Sequence, residues 1–105
     1  MKITKKQMDI LEGNFEIYEN GNSIGLRRFT NGGVDMYIDI DVNDDVIIQL
    51  ENYLNDFDID EEIDVYRQDK MYREHFTIRE SVNDFEEWIN FIQTIINVLK
   101  LVKEV

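Results

Sequence analysis

Carboxylates are the side chains of this chain best able to do chemistry, and their spacing first suggests a calcium loop. Asp39, Asp41 and Asn43 offer oxygen ligands at alternate positions, as the start of an EF-hand loop does. Position six of that loop requires glycine and position twelve a bidentate glutamate, but Asp44 and Leu50 stand there. A second possible loop, which would start at Asp56, also lacks the glycine at position six and the glutamate at position twelve. We therefore predict no metal site and no cofactor.

Other catalytic side chains are scarce. His75 is the only histidine and there is no cysteine, which excludes disulfides, thiol catalysis and zinc sites built on cysteine. Ser23 and Ser81 lie outside a G-x-S-x-G nucleophile elbow, and no glycine precedes the lysine of a phosphate loop. Paired carboxylates are too abundant to single out an acid and a base. We expect a protein that is not an enzyme.

The acidic residues are concentrated in one block. Between Phe29 and Tyr66 the chain has twelve aspartates and glutamates and no lysine or arginine, within a net charge of -12. Apolar residues recur through the block, so we expect it to be folded rather than a solvated tail. An acidic surface repels membranes and nucleic acid but attracts basic groups. The expected partner is therefore a basic nucleic-acid-binding protein, with no direct contact to nucleic acid or membrane.

One segment of the block alternates strictly, which predicts a strand with one wet face. The wet residues are Asp35, Tyr37, Asp39 and Asp41. Alternate strand residues lie about 6.6 to 6.8 Å apart, similar to neighbouring phosphates along a nucleic-acid strand. A row of carboxylates can thus replace a row of phosphates. Further acidic residues would extend this partner-binding surface: Asp44, Asp45, Asp58, Asp60, Glu61, Glu62 and Asp64. The solvated face of an ordinary acidic protein explains the pattern equally well.

The elements around that strand are predicted from turns and periodicity. Lys2–Leu11 suits a short helix that ends at Gly13, and Asn14–Glu19 with Ile24–Phe29 suits a hairpin. With Val34–Asp41 the hairpin makes a three-stranded antiparallel meander. The length of 105 residues favours a single domain over 1–105. No signal peptide or membrane span is apparent, so the expected location is the cytoplasm of a bacterial host.

The next segments are predicted to be helical. Asn43 or Asp44 can cap a helix whose apolar positions are Ile47, Leu50, Leu54 and Phe57. Asp58–Tyr66 fits either a helix or a strand, and we favour a helix followed by an irregular linker over 70–76. The overall prediction is an α+β fold: a three-stranded antiparallel sheet packed with a central helix and a long C-terminal helix.

The C-terminal helix is predicted over Ile78–Lys103, with a capping box that begins at Thr77. Its main apolar stripe recurs every seven residues and suits the core. Three apolar residues fall off that stripe and are candidates for self-association: Phe91, Val98 and Leu101. A homodimer is accordingly an alternative expectation.

Two segments carry a resemblance to known proteins. Residues 57–66 (FDIDEEIDVY) and 77–84 (TIRESVND) resemble small proteins of phages and mobile elements in Gram-positive bacteria. In size, acidity, lack of cysteine and mixed strand-helix pattern, the chain is similar in type to anti-CRISPR and anti-restriction inhibitors. Several of these act as DNA mimics in the DNA-reading cleft of a nuclease. The resemblance implies an inhibitor of a CRISPR or restriction nuclease; an acidic adaptor or dimeric scaffold is the alternative.

Overall fold

The computed structural model describes residues 2–56, 62–66, 73–77 and 82–102. The elements in chain order are α1 (Lys5–Asn14), β1 (Glu16–Asn20), β2 (Ser23–Phe29), β3 (Asp35–Asp41), α2 (Val46–Asn55), β4 (Glu62–Tyr66), β5 (Arg73–Thr77) and α3 (Val82–Val102). β1, β2 and β3 form an antiparallel sheet in that order, and β4 pairs with β5 in a second sheet. The α+β prediction, with its three-stranded sheet and long C-terminal helix, is confirmed; the two-stranded sheet was not predicted.

The register of the three-stranded sheet follows from a tight turn and from alternation. Asn20 pairs with Ser23, which leaves a two-residue loop whose first residue, Gly21, has a φ of 62°. Glycine adopts this left-handed conformation without a steric penalty. Along β3, Met36 and Ile38 are buried, whereas Tyr37 is exposed. A slip of one residue would turn every apolar side chain of β3 to solvent, so burial fixes the register.

A side chain of α2 closes the end of β3. The Gln49 amide accepts a hydrogen bond from the Asp41 backbone N–H at 2.7 Å and donates one to the Asp41 carbonyl at 2.8 Å. These are the two bonds that a neighbouring strand would make with Asp41. Gln49 thus satisfies the strand edge there and fixes α2 against the sheet.

The core is built around α3. Its buried residues are Phe85, Trp88, Ile92, Ile95, Ile96 and Leu99. Trp88 packs edge-on against Phe15 at 6.0 Å between ring centroids, and its indole N–H donates to the Tyr53 hydroxyl at 2.9 Å. Burial raises the pKa of Tyr53, against the opposing effect of that hydrogen bond. Trp88 therefore joins α3 to both α1–β1 and α2 while keeping its one polar atom paired.

Helix starts are where prediction and structure differ most. α2 is capped by Asp45, not by Asn43 or Asp44, because the Asp45 carboxylate accepts the N–H groups of residues 47 and 48. At α1 an unpredicted capping box pairs Thr4 with Gln7. α1 and its cap accordingly start later than the predicted Lys2. Thr77 is the last residue of β5, and the described part of α3 begins at Val82; the predicted helix start at Ile78 lies outside the described residues.

The preference for a helix over Asp58–Tyr66 and for a linker over 70–76 was wrong where the structure describes those segments. Glu62–Tyr66 and Arg73–Thr77 are paired antiparallel strands, with Ile63 opposite Phe76 and Val65 opposite Glu74. The apolar residues of the first segment fit helical spacing as well as strand alternation, and the pairing with the next segment decides between the two. Residues 57–61, 67–72 and 78–81 lie outside the described residues.

A transmembrane helix requires about 20 consecutive, predominantly apolar residues. None of the helices in the described ranges is both long and apolar enough to span a bilayer.

The contact between Trp88 and Tyr53 yields a stability test. We expect Tyr53→Phe to lower the free energy of unfolding by about 1 kcal/mol, because the indole N–H loses its acceptor. Urea unfolding followed by tryptophan fluorescence reports the change directly, since Trp88 is the only tryptophan. Tyr18→Phe, which removes a hydroxyl whose hydrogen bonds to Glu16 and Arg27 are exposed to solvent, is the matched control. Equal midpoints for the two variants would contradict a structural role for this bond.

Candidate protein-binding surface

The solvent-facing side of the three-stranded sheet combines residues of all three strands. Antiparallel partners share a face, and alternate residues of a strand share it too. The register therefore assigns one side, which we name the outer face, to Glu16, Tyr18, Asn20, Ser23, Gly25, Arg27, Phe29, Asp35, Tyr37, Asp39 and Asp41. It contains the four wet residues of the predicted strand together with side chains from β1 and β2. The outer face thus carries four carboxylates and one guanidinium.

Arg27 lies at the centre of that face and is held by several neighbours. Its Nε donates to Asp35 Oδ1 at 2.8 Å, and its Nη1 donates to the Tyr18 hydroxyl at 3.1 Å. Glu16 Oε2 lies 3.7 Å from Nη1, and the Phe29 ring centroid lies 4.8 Å from Cζ. The hydrogen bonds to Asp35 and then Tyr18 raise the pKa of Arg27. Asp35, predicted as a partner-binding residue, is thus largely neutralised within the protein.

The hydroxyl end of the Tyr37 ring lies against Gly25, where only glycine leaves room for it. A Cβ placed on Gly25 would come within 2.8 Å of Tyr37 Cε2 and closer still to Cζ and Oη, so a side chain there would displace the ring. The Tyr37 hydroxyl donates to Asp39 Oδ1 at 3.0 Å, and this bond raises the pKa of Tyr37. One edge of the phenol therefore orients Asp39, while 47% of the residue's surface stays exposed.

The acidic residues from Asp39 to Asp45 have different roles. Asp41 Oδ1 accepts the Asn43 N–H at 2.8 Å, and Asp45 Oδ1 accepts the N–H groups of residues 47 and 48. These two carboxylates stabilise a turn and a helix start. Asp44 is exposed, and its carboxylate makes no hydrogen bond or ion pair with the described residues. Asp39 and Asp44 are therefore the carboxylates of this group best placed for a partner.

The remaining predicted acidic residues are only partly placed. Asp58, Asp60 and Glu61 lie outside the described residues. Glu62 and Asp64 belong to β4, where their Cα partners are Thr77 and His75 of β5. The described portion of the predicted surface is therefore the part on β3 and at the start of α2.

The three self-association candidates divide into a core residue and two surface residues. Phe91 packs against the core, with its ring 5.3 Å from that of Phe15 and the Arg28 guanidinium 3.9 Å above it. Val98 is 37% exposed and Leu101 is 81% exposed. Arg28 is held in place by a hydrogen bond to the Asn14 carbonyl at 3.0 Å. Of the three candidates, only Val98 and Leu101 are therefore exposed.

Sequence reasoning missed the β1 and β2 residues of the outer face, among them Tyr18, Gly25 and Arg27. A glycine inside a strand pattern indicates a close approach by another group, and that signal was present at Gly25. The partner that approaches it, Tyr37, depends on cross-strand register, which pairs residues distant in the chain. The ion pair of Arg27 with Asp35 depends on the same register.

The described residues contain no group of three or more histidine, cysteine, aspartate or glutamate side chains arranged to hold a metal ion. The fold and surface define an acidic α+β protein with a tyrosine- and carboxylate-rich sheet face. No family model, curated protein or solved structure matches this chain. The functional inference therefore rests on the outer face.

The two neighbouring aspartates at the start of α2 test the division between structural and free carboxylates. We expect Asp45→Ala to lower the free energy of unfolding by about 1 kcal/mol, because two helix N–H groups lose their acceptor. Asp44→Ala removes the same charge one residue earlier and should leave stability unchanged or slightly higher. Urea unfolding followed by circular dichroism measures both. Equal destabilisation by the two variants would show that charge, not capping, sets the effect.

Proposed function

We propose that the protein is a non-catalytic inhibitor that occupies a basic nucleic-acid-binding groove of a bacterial defence nuclease, of the CRISPR or restriction type. The observation that carries this proposal is the outer face: an acidic surface on a sheet, with its carboxylates fixed by hydrogen bonds. The bacterial cytoplasm, where such nucleases act, is the proposed location.

Rigidity supports a mimic over a merely solvated acidic surface. Asp39 is fixed by the Tyr37 hydroxyl and keeps its charge, whereas Asp35 is fixed by Arg27, which offsets its charge; both project from one strand of a paired sheet. A charge array that is already ordered loses less conformational entropy when it binds. Phosphates on a duplex are likewise fixed at regular intervals. The outer face thus presents negative charge in a form that a groove evolved for nucleic acid can accept.

Electrostatics also explains how such an inhibitor would compete. The net charge of -12 repels nucleic acid and steers the protein toward lysine- and arginine-rich surfaces. Screening acts over about 8 Å at physiological salt, so association should slow steeply as salt rises. An inhibitor in the groove would exclude the substrate through overlap and through repulsion.

Charge reversal tests the proposal on the partner itself. The partner is captured from a Gram-positive lysate, identified and purified, and its affinity is measured by calorimetry. We expect Asp39→Lys with Asp44→Lys to weaken binding at least tenfold, which corresponds to about 1.4 kcal/mol. Thermal unfolding should show unchanged or higher stability, because the substitutions relieve repulsion within the fold.

The matched control reverses Glu12 and Glu86 to lysine. Both residues are exposed and neither belongs to the outer face, so the net charge changes equally. This control should bind almost as the parent protein does. A duplex DNA competitor should displace the parent protein from its partner. Simultaneous binding of DNA and protein, or equal loss in the two charge-reversed variants, would refute the mimic.

One observation favours a second function, that of a dimeric scaffold or adaptor. Leu101 is 81% exposed near the end of α3, and Val98 lies on the same helix, three residues earlier. Residues three apart on a helix are neighbours, so the two form a small apolar surface. Exposed apolar side chains of this kind are typical of association sites.

Leu101→Glu tests the scaffold directly. If α3 mediates association, the parent protein should sediment as a dimer and Leu101→Glu as a folded monomer, because a charge in an apolar interface is costly to desolvate. Analytical ultracentrifugation measures the mass, and circular dichroism confirms folding. Lys100→Glu, at a neighbouring exposed position, is the control. A monomeric parent protein would remove this alternative.

A further inference from the structure

We infer, building on the proposed function, that the outer face contains a subsite for an arginine side chain of the basic partner, formed by the exposed ring of Tyr37 and the carboxylate of Asp39. The partner's guanidinium would stack on the ring and pair with the carboxylate. This assignment identifies an anchor within a surface that is otherwise defined only by its charge.

The protein's own Arg27 shows that this face binds a guanidinium. Arg27 is bound by a carboxylate and a tyrosine hydroxyl, and an aromatic ring lies 4.8 Å from its Cζ. The adjacent pair, Tyr37 and Asp39, offers an aromatic ring beside a carboxylate again. In the strand register Asp39 lies opposite Gly25, one row from Arg27, so its row has no cation of its own. A partner's arginine would supply it.

Part of the Tyr37 ring remains accessible from solvent. The hydroxyl end of Tyr37 lies against Gly25, and the residue is 47% exposed. Beside it, an open hollow of about 560 Å³ is lined by Tyr18, Asn20, Arg27, Asp35 and Tyr37. A side chain that enters from solvent can therefore reach the exposed part of the ring, and the exposed Asp39 carboxylate lies beside it, bonded to the Tyr37 hydroxyl.

The chemistry favours arginine over lysine. A guanidinium is planar, so it can stack on a ring while its edge donates two hydrogen bonds to a carboxylate. A lysine ammonium can use the charge of Asp39, but it gains less from the flat ring. At exposed sites, the ring contact corresponds to about a two- to fivefold change in affinity.

Defined peptides test the subsite without the natural partner. Hexa-arginine and hexa-lysine are titrated into the ¹⁵N-labelled protein, and amide shifts give the site and the affinity. We expect hexa-arginine to shift the amides of Gly25, Tyr37 and Asp39 and to bind about two- to fivefold tighter than hexa-lysine. Tyr37→Leu should abolish that preference, whereas Tyr37→Phe, which retains the ring, should keep most of it.

Gly25→Ala provides a test that changes neither charge nor the tyrosine. The added methyl group would displace the Tyr37 ring, so the preference for arginine should fall as in Tyr37→Leu. Asp39→Asn should weaken both peptides, and Glu12→Gln, with the same change in charge, should weaken neither. The dispersion of the amide spectrum shows that each variant is folded.

The outcomes separate the subsite from the proposed function. An arginine preference that persists in both Tyr37→Leu and Gly25→Ala overturns the subsite, even if Asp39→Asn weakens both peptides and the acidic surface stands. Peptide shifts confined to another part of the protein also overturn it. An arginine preference that depends on Tyr37, in a protein that binds its partner together with DNA, supports the subsite and refutes the inhibitor.

Discussion

The pairing register of β2 with β3 is the constraint on which the rest of the structure depends. It sends Met36, Ile38 and Ile40 to the core and Asp35, Tyr37 and Asp39 to the opposite side of the sheet. The same register positions Arg27 beside Asp35 and the Tyr37 ring over Gly25. The same register therefore determines both the core packing and the charged surface, because a shift of one residue would exchange the two faces of the strand.

The sheet also resolves a conflict between acidity and folding. Carboxylates aligned along a strand repel one another, and this repulsion opposes the compact state. Arg27 offsets part of it with an ion pair to Asp35, and Tyr37 stabilises Asp39 with a hydroxyl donor instead of a charge. The distinction matters for recognition. A carboxylate that accepts a hydrogen bond from a neutral hydroxyl keeps its full negative charge for a partner, whereas the charge of an ion-paired carboxylate is largely compensated within the protein.

Most of the three-stranded sheet was predictable from the sequence, since the alternation in β3 and the turn at Gly21 are local signals. α3 was also predicted, because its apolar stripe persists over many turns. The strands β4 and β5 were missed, since their pairing joins segments whose own patterns are ambiguous. On the surface, Tyr37 and Asp39 were predicted as members of a charged row. Their contact across Gly25, and the retention of Phe91 in the core under Arg28, required tertiary structure.

The Gln49 side chain has a consequence for the behaviour of the protein at high concentration. An unpaired strand edge is a template on which further copies can add and aggregate. At Asp41 both backbone groups are already bound to Gln49, so strand addition there would have to displace an intramolecular amide. On the opposite edge, β1 carries Glu16 and Glu19, whose like charges oppose self-pairing. Strand addition is thereby hindered at the Asp41 end of β3 and along β1.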